Sequence, residues 1–248
     1  MRIATTRANG GQSMPYDLAD DDEQATVPNR RLAALRREPF AESVGAALEV
    51  DSSSDVIGPP GMVLVTAGAR QSWLDVTEVT NVDYAQFVRD GGMPPLHWCD
   101  TRPSLQSLWW PVVGISLVEA WQYAEWAGKR LPTRSEWLAA ARGPGGAPFP
   151  WGGWDPQRCN CPEARFGGVC RVDRFPRSAS PIGCLDLVGN VREWVCSEPD
   201  DPPVPPGHAW ALGGSYRAAC VRDGAIASSI VRAHSRLPDL GFRCALDA

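Results

Sequence analysis

Residues 183–195, Gly-Cys-Leu-Asp-Leu-Val-Gly-Asn-Val-Arg-Glu-Trp-Val, are the stretch on which the rest of the chain turns. Asp186 and Glu193 supply carboxylates. Gly189 and Asn190 supply a turn in which the backbone can take angles closed to most residues. Leu185, Leu187, Val188, Val191 and Trp194 supply apolar anchors on both sides. Two carboxylates around a bent backbone, with carbonyls turned inward, make a nest for a hard cation such as calcium, which takes oxygen ligands. The same residues also read as a buried turn in which the Asp and Glu act as caps. On these residues alone the buried turn is the favoured reading, and the rest of the chain changes that.

Upstream of it the sequence spells three helices. Thr80 followed by Asp83, Ser116 followed by Glu119, and Thr133 followed by Glu136 each have the spacing of a capping box, and Gly91-Gly92, Gly128 and Gly143 are the stops. Apolar faces follow each start: Tyr84, Phe87 and Val88; Ala120, Trp121, Ala124 and Ala127; Trp137, Ala140 and Ala141. Before them, Met62–Val65 and Trp73–Val79 are predicted strands. Residues 93–113 are a predicted loop pinned by Trp98, Trp109 and Trp110, in which His97 is expected to be packed rather than paired with Cys99 on a metal. Beyond Gly143 short strands are predicted at 150–152, 172–173, 191–195, 209–216 and 241–245, with a proline-rich surface loop over 199–206. Helices followed by irregular β structure describe an α+β domain with a small twisted antiparallel sheet, two to three helices and much loop.

Composition narrows the function. With 248 residues and 44% hydrophobic content the chain can build a sizeable core. A net charge of −5 argues against a nucleic-acid binder. No apolar run reaches membrane-spanning length and no signal-peptide core is present, so the expectation is a cytoplasmic protein with no membrane partner. The eight cysteines are expected to be free thiols, since the Cys159, Cys161, Cys170 cluster lacks the paired knuckles of a zinc site. Residues 1–58 read as a separate arm, flexible or docking an assembly partner, with a basic segment at 30–37; residues 59–248 read as the folded domain.

Seven motifs in fixed order carry a resemblance: 78–88 (EVTNVDYAQFV), 111–143, 150–152 (PWG), 172–176 (VDRFP), 183–195, 213–216 (GGSY) and 241–245 (GFRCA). Together they resemble the formylglycine-generating enzyme, or sulfatase-modifying factor, family, whose fold is an elaborated C-type-lectin-like one. The resemblance implies a structural calcium held by the carboxylates of Asp186 and Glu193 and the carbonyls of Gly189 and Val191. It implies that Arg243 pairs internally, and that a second calcium site near Asn160 is lost. It also implies that the chemistry is lost. The family's enzymes oxidise a cysteine using copper on two cysteines, and the matching positions here are Ala218 and Asp223. No copper is expected, because a soft cuprous ion wants a thiolate pair.

Residues 217–240 contain no Lys, Glu, Gln, Met or Trp. Every residue in the segment can be written with a codon ending in cytosine, the pattern left in variable proteins of diversity-generating retroelements, which often use this fold. A GC-rich genome and a short loop would leave the same composition. The resulting expectation is a non-catalytic, protein-binding module of bacterial or phage origin. Its face would be formed by Ser215, Tyr216, Arg217, Arg222, Asp223, Arg232, His234 and Arg236. The alternatives are an atypical oxidoreductase of the family with another metal or substrate, and a recruited subunit of a larger bacterial assembly.

Overall fold

The computed structural model describes residues 58–248. The predicted arm, apart from Gly58, lies outside the described residues. Strand β1 (Met62–Ala67) turns at Gly68, where φ is +61°, and returns as β2 (Arg70–Asp75). Their antiparallel register runs from Ala67 opposite Arg70 to Met62 opposite Asp75. Helices α1 (Asn81–Arg89), α2 (Leu117–Trp126) and α3 (Arg134–Arg142) follow. All three begin with the predicted capping boxes, in which the side chains of Thr80, Ser116 and Thr133 accept from the third helical amide and the acidic side chain accepts in return. Such a cap is worth about 1 kcal/mol to its helix.

The strands β3 (Arg192–Val195), β4 (His208–Leu212), β7 (Ser228–Arg232) and β8 (Leu240–Gly241) form a sheet in the order β7-β4-β3-β8, with β3 and β8 parallel. The hairpin β5 (Val221–Arg222) and β6 (Ala225–Ile226) stands apart from it. The last strand, β9 (Ala245–Asp247), returns to pair with β2. The architecture is α+β, with three helices and small sheets.

Two apolar clusters fill the interior. In one, Trp137 of α3 packs with Leu187, Val188, Leu212 and Cys220. In the other, Trp194 lies with Tyr84, Tyr123 and Phe242. Tyr84 and Tyr123 stack with centroids 5.4 Å apart, and Phe242 meets both edge-on at 6.5 and 5.4 Å. Of the eleven tryptophans only Trp137, Trp194 and Trp210 are buried, so the aromatic core is shared with tyrosine and phenylalanine.

Several predicted strands move. The second strand begins at Arg70 and ends at Asp75, not Val79, because the carbonyls of Asp75 and Val76 turn to meet the Arg243 guanidinium, each at 3.0 Å. The fourth stops at Leu212 because Gly213 and Gly214 take φ of +96° and +68°. Residues 172–173 form a turn, and 149–152 make only an isolated bridge. The strand predicted at 241–245 is two strands in two sheets, with Phe242–Cys244 crossing between them. His97 is not a packed histidine; it is exposed, and partial burial against the Gly114 backbone lowers its pKa.

Candidate functional site

The opening stretch folds as a tight nest. Asp186, Gly189 and Asn190 all have positive φ, at +53°, +90° and +54°. Gly189 is required there: a Cβ would sit 2.7 Å from the Asn160 carbonyl oxygen. Asp186 is buried; its amide donates to Ser178 Oγ at 3.0 Å, and its Oδ1 accepts from that hydroxyl at 2.9 Å. Its Oδ2 is buried without a partner. Glu193 is also buried, but its oxygens are engaged. Arg243 Nε and Trp137 Nε1 donate to Oε2 at 2.7 and 2.8 Å, and Arg243 Nη2 donates to Oε1 at 2.7 Å. The same guanidinium binds the carbonyls of Asp75, Val76 and Leu185, so the inward role expected for Arg243 is what it performs.

A residue outside the sequence-derived set joins this nest. Glu78 is 1% exposed, accepts from Asn190 Nδ2 at 3.0 Å through Oε1, and leaves Oε2 without a partner. Burial and the nearby Asp186 push the Glu78 carboxyl well up. Burial, reinforced by Glu193, pushes Asp186 up to about 7, against the opposing pull of Ser178 and Arg243. Asn190 is the hub: its Oδ1 accepts from Asn160 Nδ2 at 3.2 Å and from the Cys170 amide at 3.1 Å.

The calcium set implied by resemblance therefore fits at Asp186, which has a free buried oxygen. It does not fit at Glu193, where a dication would lie against the Arg243 guanidinium.

The predicted ligand face splits. Ser215 is fully buried; its hydroxyl donates to Asp239 Oδ2 at 2.8 Å and accepts from the Ala218 amide at 2.9 Å, while Arg192 clamps Asp239 through Nη2 at 2.8 Å. Ser215 thus holds the loop from beneath. Tyr216 is half-buried, its amide donating to the Asn190 carbonyl. Arg217, Arg222, Asp223 and Arg232 are exposed. Asp223-Gly224, with φ of +52° and +76°, form the two-residue turn of the β5–β6 hairpin, a conformation that Asp-Gly favours. Arg232 ends β7, the edge strand. His234 and Arg236 line instead a cleft of about 970 Å³ beside α2, together with Trp121, Val195 and Pro205. Arg236 is bound there to Glu119 by Nη2–Oε1 at 2.8 Å, so it braces the α2 cap.

At the two positions implied for copper, Ala218 turns under Ser215 and Asp223 stands at the exposed hairpin tip. Neither carries sulfur. Cys220 points inward, with Sγ 3.6 Å from the Ser215 carbonyl, and hydrogen bonding to it and burial push the Cys159 thiol up. The eight cysteines are free, six of them buried. Among the described residues no group of three or more His, Cys, Asp or Glu is arranged to hold a metal.

A family model described as "Sulfatase-modifying factor enzyme 1-like domain" matches residues 58–248. The chain belongs to this family. It is 32% identical to the formylglycine-generating enzyme of Streptomyces coelicolor, over 74% of this chain and 80% of that one. It is 30% identical to the inactive C-alpha-formylglycine-generating enzyme 2 of Mus musculus, over 71% and 75%. Among solved structures, Treponema denticola variable protein 1 superposes with a TM-score of 0.54 at 17% identity, over 77% of this chain and 94% of that one, which shows a shared fold. The family therefore includes both active and inactive members similar to this chain.

Sequence reasoning missed Glu78, which meets Asn190 across 112 positions, and the Asn160–Asn190 link, which spans 30, because nothing local marks either pairing. It also missed the hairpin, although Asp223-Gly224 was there to read.

Proposed function

We propose that this chain is a non-catalytic, protein-binding module built on the sulfatase-modifying factor scaffold. One observation carries the reading. The loop that would hold two copper-binding thiolates presents Ala218 and Asp223, while Arg217, Arg222, Asp223, Ile230 and Arg232 project from a base fixed by Ser215, Asp239 and Arg192. Three guanidinium groups beside an exposed Ile230 suit an acidic or aromatic protein surface, since Arg binds carboxylates in a fork and stacks on rings. The inactive mouse relative supports separating this scaffold from its chemistry. The name of the Treponema denticola variable protein supports reading residues 217–240 as a segment free to vary. Residues 1–58 serve in this reading as the arm by which a larger assembly recruits the module. Thiols kept reduced suit the cytoplasm, where the reading places it. No described helix is long and apolar enough to cross a membrane.

The test pairs two assays on the full chain. Incubated with Cu(I) and a cysteine peptide that the Streptomyces coelicolor enzyme converts, the protein should form no aldehyde and retain no stoichiometric copper. Used as bait, it should hold a partner that the Arg217→Ala/Arg222→Ala/Arg232→Ala variant loses at unchanged melting temperature. Aldehyde formation, or equal capture by the variant, would overturn the reading.

A further inference from the structure

Strand β7 is an open edge. It ends the sheet order β7-β4-β3-β8, with β4 on one side and no strand on the other. The register fixes which of its main-chain groups are committed. The Gly213 amide donates to the Ala227 carbonyl at 3.0 Å and the Ala233 amide to the Gly207 carbonyl at 2.8 Å, so the odd-numbered residues on the β7 side of the ladder are the ones bonded to β4. Bonded and non-bonded pairs alternate in an antiparallel ladder. Ser228, Ile230 and Arg232 therefore turn their amides and carbonyls away from β4. Two of these groups are met: Arg222 Nη1 donates to the Ser228 carbonyl at 3.4 Å, and the Ser235 amide to the Arg232 carbonyl at 2.9 Å. The amides of Ser228, Ile230 and Arg232 and the carbonyl of Ile230 have no partner among the described residues. Such a row is a template for another strand.

The side chains select what kind of strand fits. Ser228, Ile230 and Arg232 share one face, because side chains alternate along a strand, and Val231 is buried on the other. Ile230 is 46% exposed and lies directly opposite Trp210 of β4, so an apolar residue on an added strand would extend the row from Trp210 through Ile230. Arg232 stands at one end of this face, and the Arg222 guanidinium at the other, against the Ser228 carbonyl. Neither arginine pairs with a carboxylate among the described residues. A second copy of β7 fits poorly. Paired antiparallel and centred on Ile230, it would bring each Arg232 towards the Arg222 of the other copy, and like charges facing each other destabilise a strand pair. A strand carrying carboxylates at those two positions meets both guanidinium groups instead.

We propose that β7 is a strand-addition site for an extended acidic segment of a partner protein. The segment pairs antiparallel with Ser228–Arg232. It places an apolar residue opposite Ile230 and, two positions away on either side, an Asp or Glu towards Arg232 and Arg222. Main-chain bonds supply the affinity, and the alternate side chains supply the choice of partner. This rests on the binding reading above and adds the conformation and the side-chain pattern of the partner.

Fluorescence anisotropy with the full chain and a labelled, terminally blocked peptide, Thr-Glu-Thr-Val-Thr-Glu-Thr, tests it. Binding should saturate. It should weaken about tenfold when the Val amide, which donates to the Ile230 carbonyl, is N-methylated. N-methylation of the Thr before Val, whose amide faces solvent, should leave binding unchanged. Replacing both Glu by Lys, or the protein by its Arg222→Ala/Arg232→Ala variant, should weaken it by about tenfold or more. Ile230→Pro removes an amide that the sheet does not use, so it should weaken binding at an unchanged melting temperature. Should that variant fail to fold, the two methylated peptides carry the test on the unaltered chain. No saturable binding at millimolar peptide, or the same result from both methylations, would overturn strand addition. Binding that is sensitive to Val methylation but indifferent to the charges would overturn the acidic partner. The binding reading itself is decided separately, by bait capture and its loss in the Arg217→Ala/Arg222→Ala/Arg232→Ala variant: a partner captured that way while the peptide fails would leave that reading standing and remove only the added strand.

Discussion

Replacing Arg243 with Met should be among the most damaging single changes available to this domain. The guanidinium is fully buried and makes five contacts of 2.7–3.0 Å: two to Glu193 and one each to the carbonyls of Asp75, Val76 and Leu185. Met roughly preserves length and apolar bulk, so the loss is electrostatic. It leaves Glu193 buried and uncompensated beside Asp186 and Glu78, and removes a donor from three carbonyls. Breaking one side of a buried ion pair costs about 3–5 kcal/mol. That is a large share of the roughly 5–15 kcal/mol by which domains are stable. At about 2–4 °C per kcal/mol for a domain of this size, the melting temperature should fall by about 6–20 °C. Urea unfolding at pH 7, extrapolated linearly to water, measures the loss directly. The double variant Arg243→Met/Glu193→Gln should recover at least half of it, because the stranded charge is gone. A loss below about 1 kcal/mol for Arg243→Met, or a double variant no better than the single one, would refute the claim that this pair holds the domain together.

Other consequences are smaller. Arg236→Ala should cost about 0.5–1 kcal/mol at pH 7, since the pair is partly exposed. Burial raises Glu119, but hydrogen bonds from Arg236 and Ser116 outweigh it and hold the carboxyl below its ordinary 4.5. The contribution is therefore present above that value and lost as pH falls through the lower folded-state pKa, so the gap between wild type and variant should close on acidification when unfolding is followed from pH 7 to 3. Gly214→Ala should cost upwards of about 1 kcal/mol, because φ is +68° and the new Cβ would lie 2.4 Å from Cys220 Cα; calorimetry would show it. Arg222→Ala and Arg232→Ala, both exposed, should stay within about 0.5 kcal/mol of wild type in the same assay.

What could be read in the sequence was what is local. The capping boxes at Thr80, Ser116 and Thr133 are three-residue patterns, and all three formed. Seven ordered motifs carried the fold, because order survives where individual residues drift. The strand end at Asp75 is set from elsewhere, by a guanidinium 168 positions away, whereas the end at Leu212 is set by the two positive-φ glycines that follow it. The face proposed for binding was legible as a segment but not as a surface. Exposure within 213–236 depends on which residues brace the loop, and Ser215 and Arg236 were spent on that bracing. Glu78 was invisible for the same reason: its importance lies in Asn190 and Asp186, more than a hundred residues on.

The placement of Arg243 bears on how the protein is made. The contacts it closes span 50 to 168 residues back along the chain. A ribosome therefore exposes Glu193 and the carbonyls of Asp75 and Val76 well before their cation exists. Until residue 243 leaves the exit tunnel the nascent domain lacks the cation that its centre is built around, so its core cannot close cooperatively before that residue arrives.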